Sequence, residues 1–340
     1  MSQGTDIAIR TESINKTFEQ VTAVKDISIT VEKGELFGLL GPNGAGKSTL
    51  IGMLSTMIRP TGGNAEVWGY DIRSQSTEVR MSIGVVFQGT TLDQKLTGRE
   101  NLDIHGRLYG LGKKERHERI HEVLELVELS DWADEIVQKY SGGMMRRLEI
   151  ARGLMHHPDV LFLDEPTLGL DPQTRNHIWE YIKKLNQEKN ITMVLTTHYM
   201  EEADMLCNRI AIIDHGMIIA EGTPAELKAE LGGDIITLNF KSENEAAKML
   251  EHYSDRDSST KEITTDGTSI RITATDGERT IPELIRISTE LDLHIESVNL
   301  RKPTLDDVFL HHTGKNIRYS GPEDRKRKRG IRRMGRHPRK

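Results

Sequence analysis

Gly41-Pro42-Asn43-Gly44-Ala45-Gly46-Lys47-Ser48 follows the apolar run Glu35–Leu40 and opens a helical stretch, Lys47–Met57. The spacing G-x-x-x-x-G-K-[ST] between a strand and a helix is that of a phosphate-binding loop. Its glycines let successive backbone N–H groups turn inward on the β- and γ-phosphates, and the helix N-terminus adds partial positive charge. Lys47 brings an ammonium to the γ-phosphate, and the Ser48 hydroxyl is a hard oxygen ligand for Mg²⁺. Residues 41–49, Thr49 included, are therefore the expected seat of a nucleoside triphosphate. The loop alone does not choose between a kinase, a GTPase, a helicase and a transporter.

The next acidic site narrows the choice. Val160-Leu161-Phe162-Leu163 is an apolar run that suits a buried parallel strand, and it ends in Asp164-Glu165. Asp164 can hold Mg²⁺ directly or through water, while Glu165, one residue further on, can polarise the water that attacks the γ-phosphate. This pair favours ATP hydrolysis over transfer to a small molecule. No N/T-K-x-D element of the kind that reads guanine is apparent, so ATP is expected rather than GTP.

Twenty-three residues before Asp164 stands Ser141-Gly142-Gly143, followed by Met144-Met145-Arg146-Arg147. Ser-Gly-Gly ahead of a helix exposes further backbone donors for a second γ-phosphate site. Set between a phosphate loop and an Asp-Glu strand, it resembles the signature of the ABC ATPases. That resemblance implies roles for further residues. Gln88 ends the strand Ile83–Phe87 as a Q-loop residue does, contacting Mg²⁺ or the attacking water. Gly169-Leu170-Asp171 resembles the D-loop at the dimer interface, His198 the switch histidine that senses the γ-phosphate, and Phe18 the aromatic that stacks on adenine. Lys47, Gln88, Glu165 and His198 are then the catalytic set, with Ser48, Gln88 and Asp164 toward Mg²⁺. The usual signature is Leu-Ser-Gly-Gly-Gln; here Tyr140 and Met144 take the flanking places. Tyr-Ser-Gly-Gly-Met with two arginines, together with Pro303-Thr304-Leu305-Asp306-Asp307-Val308-Phe309-Leu310, is similar to the daunorubicin-type drug-resistance exporter ATPases. The resemblance implies a peripheral subunit on the cytoplasmic face that pairs with a separate membrane permease. It also implies a homodimer in which two ATPase domains sandwich two ATP molecules, the phosphate loop of one against Ser141–Gly143 of the other.

Working outward, residues 7–40 read as short β-rich stretches, 90–156 as mostly helical, and 160–220 as strands alternating with helices. The fold class is α/β, a P-loop core with a helical subdomain and a largely parallel sheet covered on both faces. A smaller unit, 231–314, has the order strand, helix, strand, strand, helix, strand, with an Asp266-Gly267 hairpin turn, and so a ferredoxin-like arrangement. The expected units are 1–230, 231–314 and a basic tail, 315–340.

With 340 residues, either folded unit can bury a core. No apolar run approaches the ~18 residues of a spanning helix. The N-terminal residues carry no apolar signal core, which argues against export. A single cysteine, Cys207, excludes an internal disulfide framework. Charge is unevenly placed. Ten of the 46 bases lie after Asp324, beyond every acidic residue, so residues 1–324 carry 36 bases against 52 acids, a net −16. Such a tail repels itself and is expected to be disordered. It could reach anionic lipid. It also gives some support to the alternative of a soluble ABC ATPase acting on the ribosome or nucleic acid, but one phosphate loop and one Ser-Gly-Gly in the chain argue against that. A binding module with ATP as a mere ligand is disfavoured by Glu165.

Overall fold

The structure, a computed structural model, describes residues 7–253 and 260–313; the basic tail lies outside them. The chain opens with β1 (Ile7–Phe18), β2 (Val21–Ile27), β3 (Thr30–Glu32), β4 (Leu36–Leu40), α1 (Lys47–Leu54), β5 (Gly62–Val67), β6 (Tyr70–Asp71), α2 (Ser76–Ser82) and β7 (Ile83–Val86). Helices α3 (Gly98–Leu108), α4 (Lys113–Leu126) and α5 (Gly142–Gly153) follow. Strands and helices then alternate through β8 (Val160–Asp164), α6 (Pro172–Lys189), β9 (Thr192–Thr197), α7 (Met200–Leu206), β10 (Arg209–Asp214), β11 (Met217–Gly222) and α8 (Pro224–Glu230). The remainder is β12 (Asp234–Phe240), α9 (Glu243–Tyr253), β13 (Thr260–Asp266), β14 (Ser269–Ala274), α10 (Gly277–Glu290), β15 (Ile295–Arg301) and α11 (Leu305–Thr313).

The central sheet runs β11-β10-β4-β9-β8-β7, parallel throughout except for β11. Every residue of β4, β8 and β9 is buried, as expected of strands covered on both faces. Successive side chains go to opposite sides. Leu36, Leu161, Leu163, Met193 and Leu195 pack with α3 to α7, whereas Phe37, Leu39, Phe162 and Val194 pack with α1 and the antiparallel sheet β2-β1-β5-β6. Each fully buried Leu, Ile or Phe contributes roughly 1.5–3 kcal/mol. The helix expected over Lys47–Met57 ends at Leu54, because Thr56 takes a left-handed conformation (φ 64°).

A four-stranded antiparallel sheet, β13-β14-β12-β15, packs its apolar face on α9 and α10 around Leu238, Phe240, Met249, Ile272 and Leu284. The sequence reading did not anticipate α11 as a helix. Its Leu305, Val308 and Phe309 are buried with Met200, Ala203, Leu206 and Leu227, so the helix packs against α7 and α8.

Strand register gathers the site. Gly41 N–H donates to Thr197 O (3.2 Å), Asp164 lies opposite Thr196, and Gln88 follows β7. The loops carrying chemistry thus share the C-terminal edge of a parallel sheet, where such folds open their crevice.

Candidate nucleotide site

The phosphate loop leaves β4 under tight constraint. A Cβ on Gly41 would stand 2.1 Å from Ile213 O, and one on Gly46, whose φ is 110°, 2.4 Å from Ala23 O. Only glycine fits either place. Pro42 is half-buried, Asn43 and Gly44 are exposed, Ala45 is buried and Thr49 is partly buried on the first turn of α1. Lys47 opens that helix with its side chain buried. Its Nζ donates to Gly41 O (2.7 Å) and Pro42 O (3.1 Å) and lies 3.8 Å from Glu165 Oε1. Burial lowers its pKa, and the carboxylates of Glu165 and Asp164 oppose that. An ammonium with two carbonyl acceptors and carboxylates alongside is poised to exchange those partners for phosphate oxygens.

Ser48 Oγ donates to Asp164 Oδ1 (3.0 Å), and the same oxygen accepts Thr196 Oγ1 (2.5 Å). Glu165 sits beside it in the left-handed region, φ 46°. Its N–H is held by Thr196 O (3.1 Å) and Thr196 Oγ1 (3.0 Å). Its two carboxylate oxygens are both engaged, Oε2 by Gln88 Nε2 (2.9 Å) and Oε1 by His198 Nδ1 (3.1 Å). Burial alone would raise its pKa, but the hydrogen bonds from His198 and Gln88 and the charges of His198 and Lys47 bring it below the usual value. Glu165 is therefore an ionised, oriented proton acceptor at neutral pH.

Of the residues singled out from sequence, the structure brings Lys47, Ser48, Gln88, Asp164, Glu165 and His198 into one bonded set. Ser141, Gly142, Gly143, Asp171 and Phe18 lie elsewhere. Ser141 caps α5 through its Oγ, which accepts Met144 N–H (3.2 Å). Ser141 and Gly142 are exposed, Gly143 is buried, and a Cβ on Gly143 would meet the Thr174 methyl at 2.6 Å. Asp171 is exposed and caps α6, its Oδ1 accepting Thr174 N–H (3.0 Å). Phe18, at the end of β1, is 43% exposed, with Lys16 Nζ 4.8 Å from its ring centroid. One residue of the set was missed by sequence reasoning: Thr196, whose hydroxyl joins Asp164 to the Glu165 backbone. A polar pair, Thr196-Thr197, closing an apolar strand was its available signal.

Among the described residues no cluster of three His, Cys, Asp or Glu side chains could hold a metal by itself. Ser48 and Asp164 are a partial set of hard oxygens. That fits a cation whose shell is completed by phosphate and water.

A Gly-Lys-Ser loop under a parallel sheet, an Asp-Glu strand end bonded to His198 and a capped Ser-Gly-Gly helix together define an ABC-type ATPase. The ABC transporter family model matches residues 24–168, and a model of the C-terminal domain of DrrA1-3-like ATP-binding proteins matches residues 222–313. The chain is 41% identical over 313 residues to the daunorubicin resistance ATP-binding protein DrrA3 of Streptomyces coeruleorubidus, covering 92% of this chain and 98% of that one. To the linearmycin resistance ATP-binding protein LnrL of Bacillus subtilis (strain 168) it is 42% identical over 315 residues, covering 91% and 99%. Its fold is similar to the dimeric ATP-binding cassette MJ0796 in a post-hydrolysis state bound to ADP and Pi, with a TM-score of 0.57 and 29% identity, covering 63% of this chain and 98% of that one. The chain belongs to the family of ABC transporter ATP-binding subunits, and it binds and hydrolyses ATP. These relatives do not favour the alternative of a ribosome or nucleic-acid ATPase.

Proposed function

We propose that this chain is the motor of an exporter for a drug-like or lipid-like compound, working as a homodimer beneath a separate integral membrane permease on the cytoplasmic face. The observation that carries the motor reading is the carboxylate of Glu165, ionised and held between Gln88 and His198, 3.8 Å from the Lys47 ammonium. In this reading residues 41–49 wrap the β- and γ-phosphates, and Phe18 stacks on adenine with the face its exposure leaves open. Mg²⁺, held by Ser48 and Asp164 with Gln88, would neutralise charge between the β- and γ-phosphates. Glu165 takes the proton of the attacking water at Oε1 or Oε2, while His198 and Gln88 orient the carboxylate. Ser141–Gly143 meets the γ-phosphate on the second copy's loop, and Asp171 faces that copy.

Export rests on the similarity to resistance proteins across nearly the whole chain. No helix among the described residues is long and apolar enough to cross a membrane, so the path for the compound belongs to a partner. Ile104 and Leu108, one turn apart on α3 and exposed, the latter 78%, with exposed Met81 on α2, offer apolar side chains for such a partner to cover. The test is active efflux of an amphipathic dye from cells co-expressing the chain and its candidate permease. Lys47→Ala is expected to reduce efflux to the level of permease alone, because the phosphate-neutralising ammonium is lost. Efflux undiminished by that substitution would overturn the reading.

A further inference from the structure

Glu165 and Gln88 meet side chain to side chain (2.9 Å), and their relative position depends on the backbone that carries each. Arg146 is buried on α5, five residues beyond Ser141. Its Nε donates to Pro166 O (2.6 Å) and Nη2 to Asp164 O (3.1 Å), the two carbonyls that flank Glu165. Its Nη1 donates to Phe87 O (2.6 Å), the carbonyl just before Gln88, and to Glu149 Oε2 (2.9 Å). Glu149 Oε1 in turn accepts Thr91 N–H (2.9 Å), in the loop that follows Gln88. One planar guanidinium thus spans the backbone on both sides of the base and the root of the amide that contacts it. Four donor contacts in a fixed fork are within reach of arginine and out of reach of lysine.

The backbone so held is strained. Glu165 has φ 46°, a conformation that a non-glycine residue keeps only where its surroundings over-determine it. Thr196 fixes the Glu165 N–H, and Arg146 fixes the carbonyls before and after. Such a clamp has no place in a plain core contact, since a buried guanidinium is costly unless its donors are used.

We propose that Arg146 is a positioning residue for ATP hydrolysis: its guanidinium sets Glu165 against Gln88 and links that geometry to α5, whose N-terminus carries Ser141–Gly143. A shift of α5 when its N-terminus meets the second nucleotide would then be transmitted to the backbone on both sides of the base. This rests on Glu165 being the base, as proposed above.

The experiment compares steady-state hydrolysis and equilibrium Mg-ATP affinity for the full chain and for Arg146→Lys, which keeps a cation beside Glu149. The expected result is kcat down about thirtyfold with ATP affinity and KM within about twofold, because misplacement of a base leaves ground-state binding intact. A kcat within about threefold of wild type would overturn the clamp, and so would affinity falling in step with kcat, the mark of a general structural defect. Should Arg146→Lys not fold, Arg146→Gln is judged by the same criteria. Glu165→Gln, run alongside, keeps the two ideas apart. If Glu165→Gln hydrolyses like wild type, the base assignment fails. If Glu165→Gln is dead while Arg146→Lys retains full kcat, only the clamp fails.

Discussion

Two histidines outside the nucleotide site carry a consequence for stability. His105 and His156 are each pushed down to about 4 by burial first; the charge of Arg152 adds to this at His105, while at His156 the hydrogen bond to Ile83 O opposes it and the charge of Arg119 adds to it. His156 Nε2 faces Ile83 O (2.8 Å), which makes it the protonated nitrogen of a neutral ring, and Nδ1 is left buried without a partner. The Tyr109 ring stacks on it at 3.7 Å and 15°. A folded-state pKa below the unfolded value means that the unfolded chain binds more protons between the two. The stabilisation is then complete above about pH 6.5 and is lost as pH falls toward 4. Acidifying from about pH 7 to about pH 5 is expected to cost on the order of 1 kcal/mol per histidine. A His105→Leu, His156→Phe double variant should lose much less melting temperature over that interval than wild type; an equal loss would refute the assignment. At this scale the sequence was most legible where one residue type does one job. Lys47, Ser48, Asp164 and Glu165 are readable from spacing because a phosphate loop and a strand end constrain their neighbours. Arg146 was visible as part of a subfamily pattern, but its work depends on three carbonyls, of residues 87, 164 and 166, that meet only in the fold.

Among elements, α11 departs most from what periodicity conveyed. Leu305, Val308 and Phe309 do recur at helical spacing, yet nine residues of moderate hydrophobicity do not say against what they pack. Their partners lie about a hundred residues away, on α7, the helix that follows His198, and on α8. The start of α11 is fixed locally: Thr304 N–H and Oγ1 both donate to Asp307 Oδ2 (2.9 and 2.8 Å), and Arg301 Nη2 pairs with Asp307 Oδ1 (2.7 Å). By contrast β4, β8 and β9 could be read directly, since a strand buried on both faces must be apolar throughout. Phe309→Ala would leave a cavity shared by α11, α7 and α8 at a cost of about 3 kcal/mol. The expected outcome is a melting temperature lower by several degrees for the transition that Trp179 fluorescence reports, since Trp179 lies in the same apolar cluster. A shift confined to residues 234–301, with the Trp179 transition unmoved, would show that α11 does not brace the cassette.

For the whole molecule, the decisive quantity is how charge is divided. Residues 1–324 carry −16, whereas the last sixteen residues hold ten bases and no acid. An acidic body is repelled by an anionic membrane surface, yet the proposed function requires it to dock beneath one. The tail supplies the opposite sign. Each base near such a surface contributes roughly 1 kcal/mol when engaged, and the attraction decays over a Debye length of about 8 Å at physiological salt. Three or four engaged bases would therefore supply about 3–4 kcal/mol, a millimolar-strength attraction that adds to a permease contact rather than replacing it. The competing possibility is that the tail neutralises its own acidic body, in which case its charges are already spent. Flotation of the full chain and of a version ending at Gly321 on vesicles containing phosphatidylserine separates the two. Lipid anchoring predicts that the full chain floats at low salt, that the shortened chain does not, and that about 0.5 M salt abolishes the difference, because screening at that strength shrinks the Debye length to a few ångströms. Equal flotation of both versions would remove the anchor. Tail-dependent binding to RNA with none to lipid would assign the bases to phosphate backbones in nucleic acid instead, where the same charges release counterions and the salt dependence is steeper.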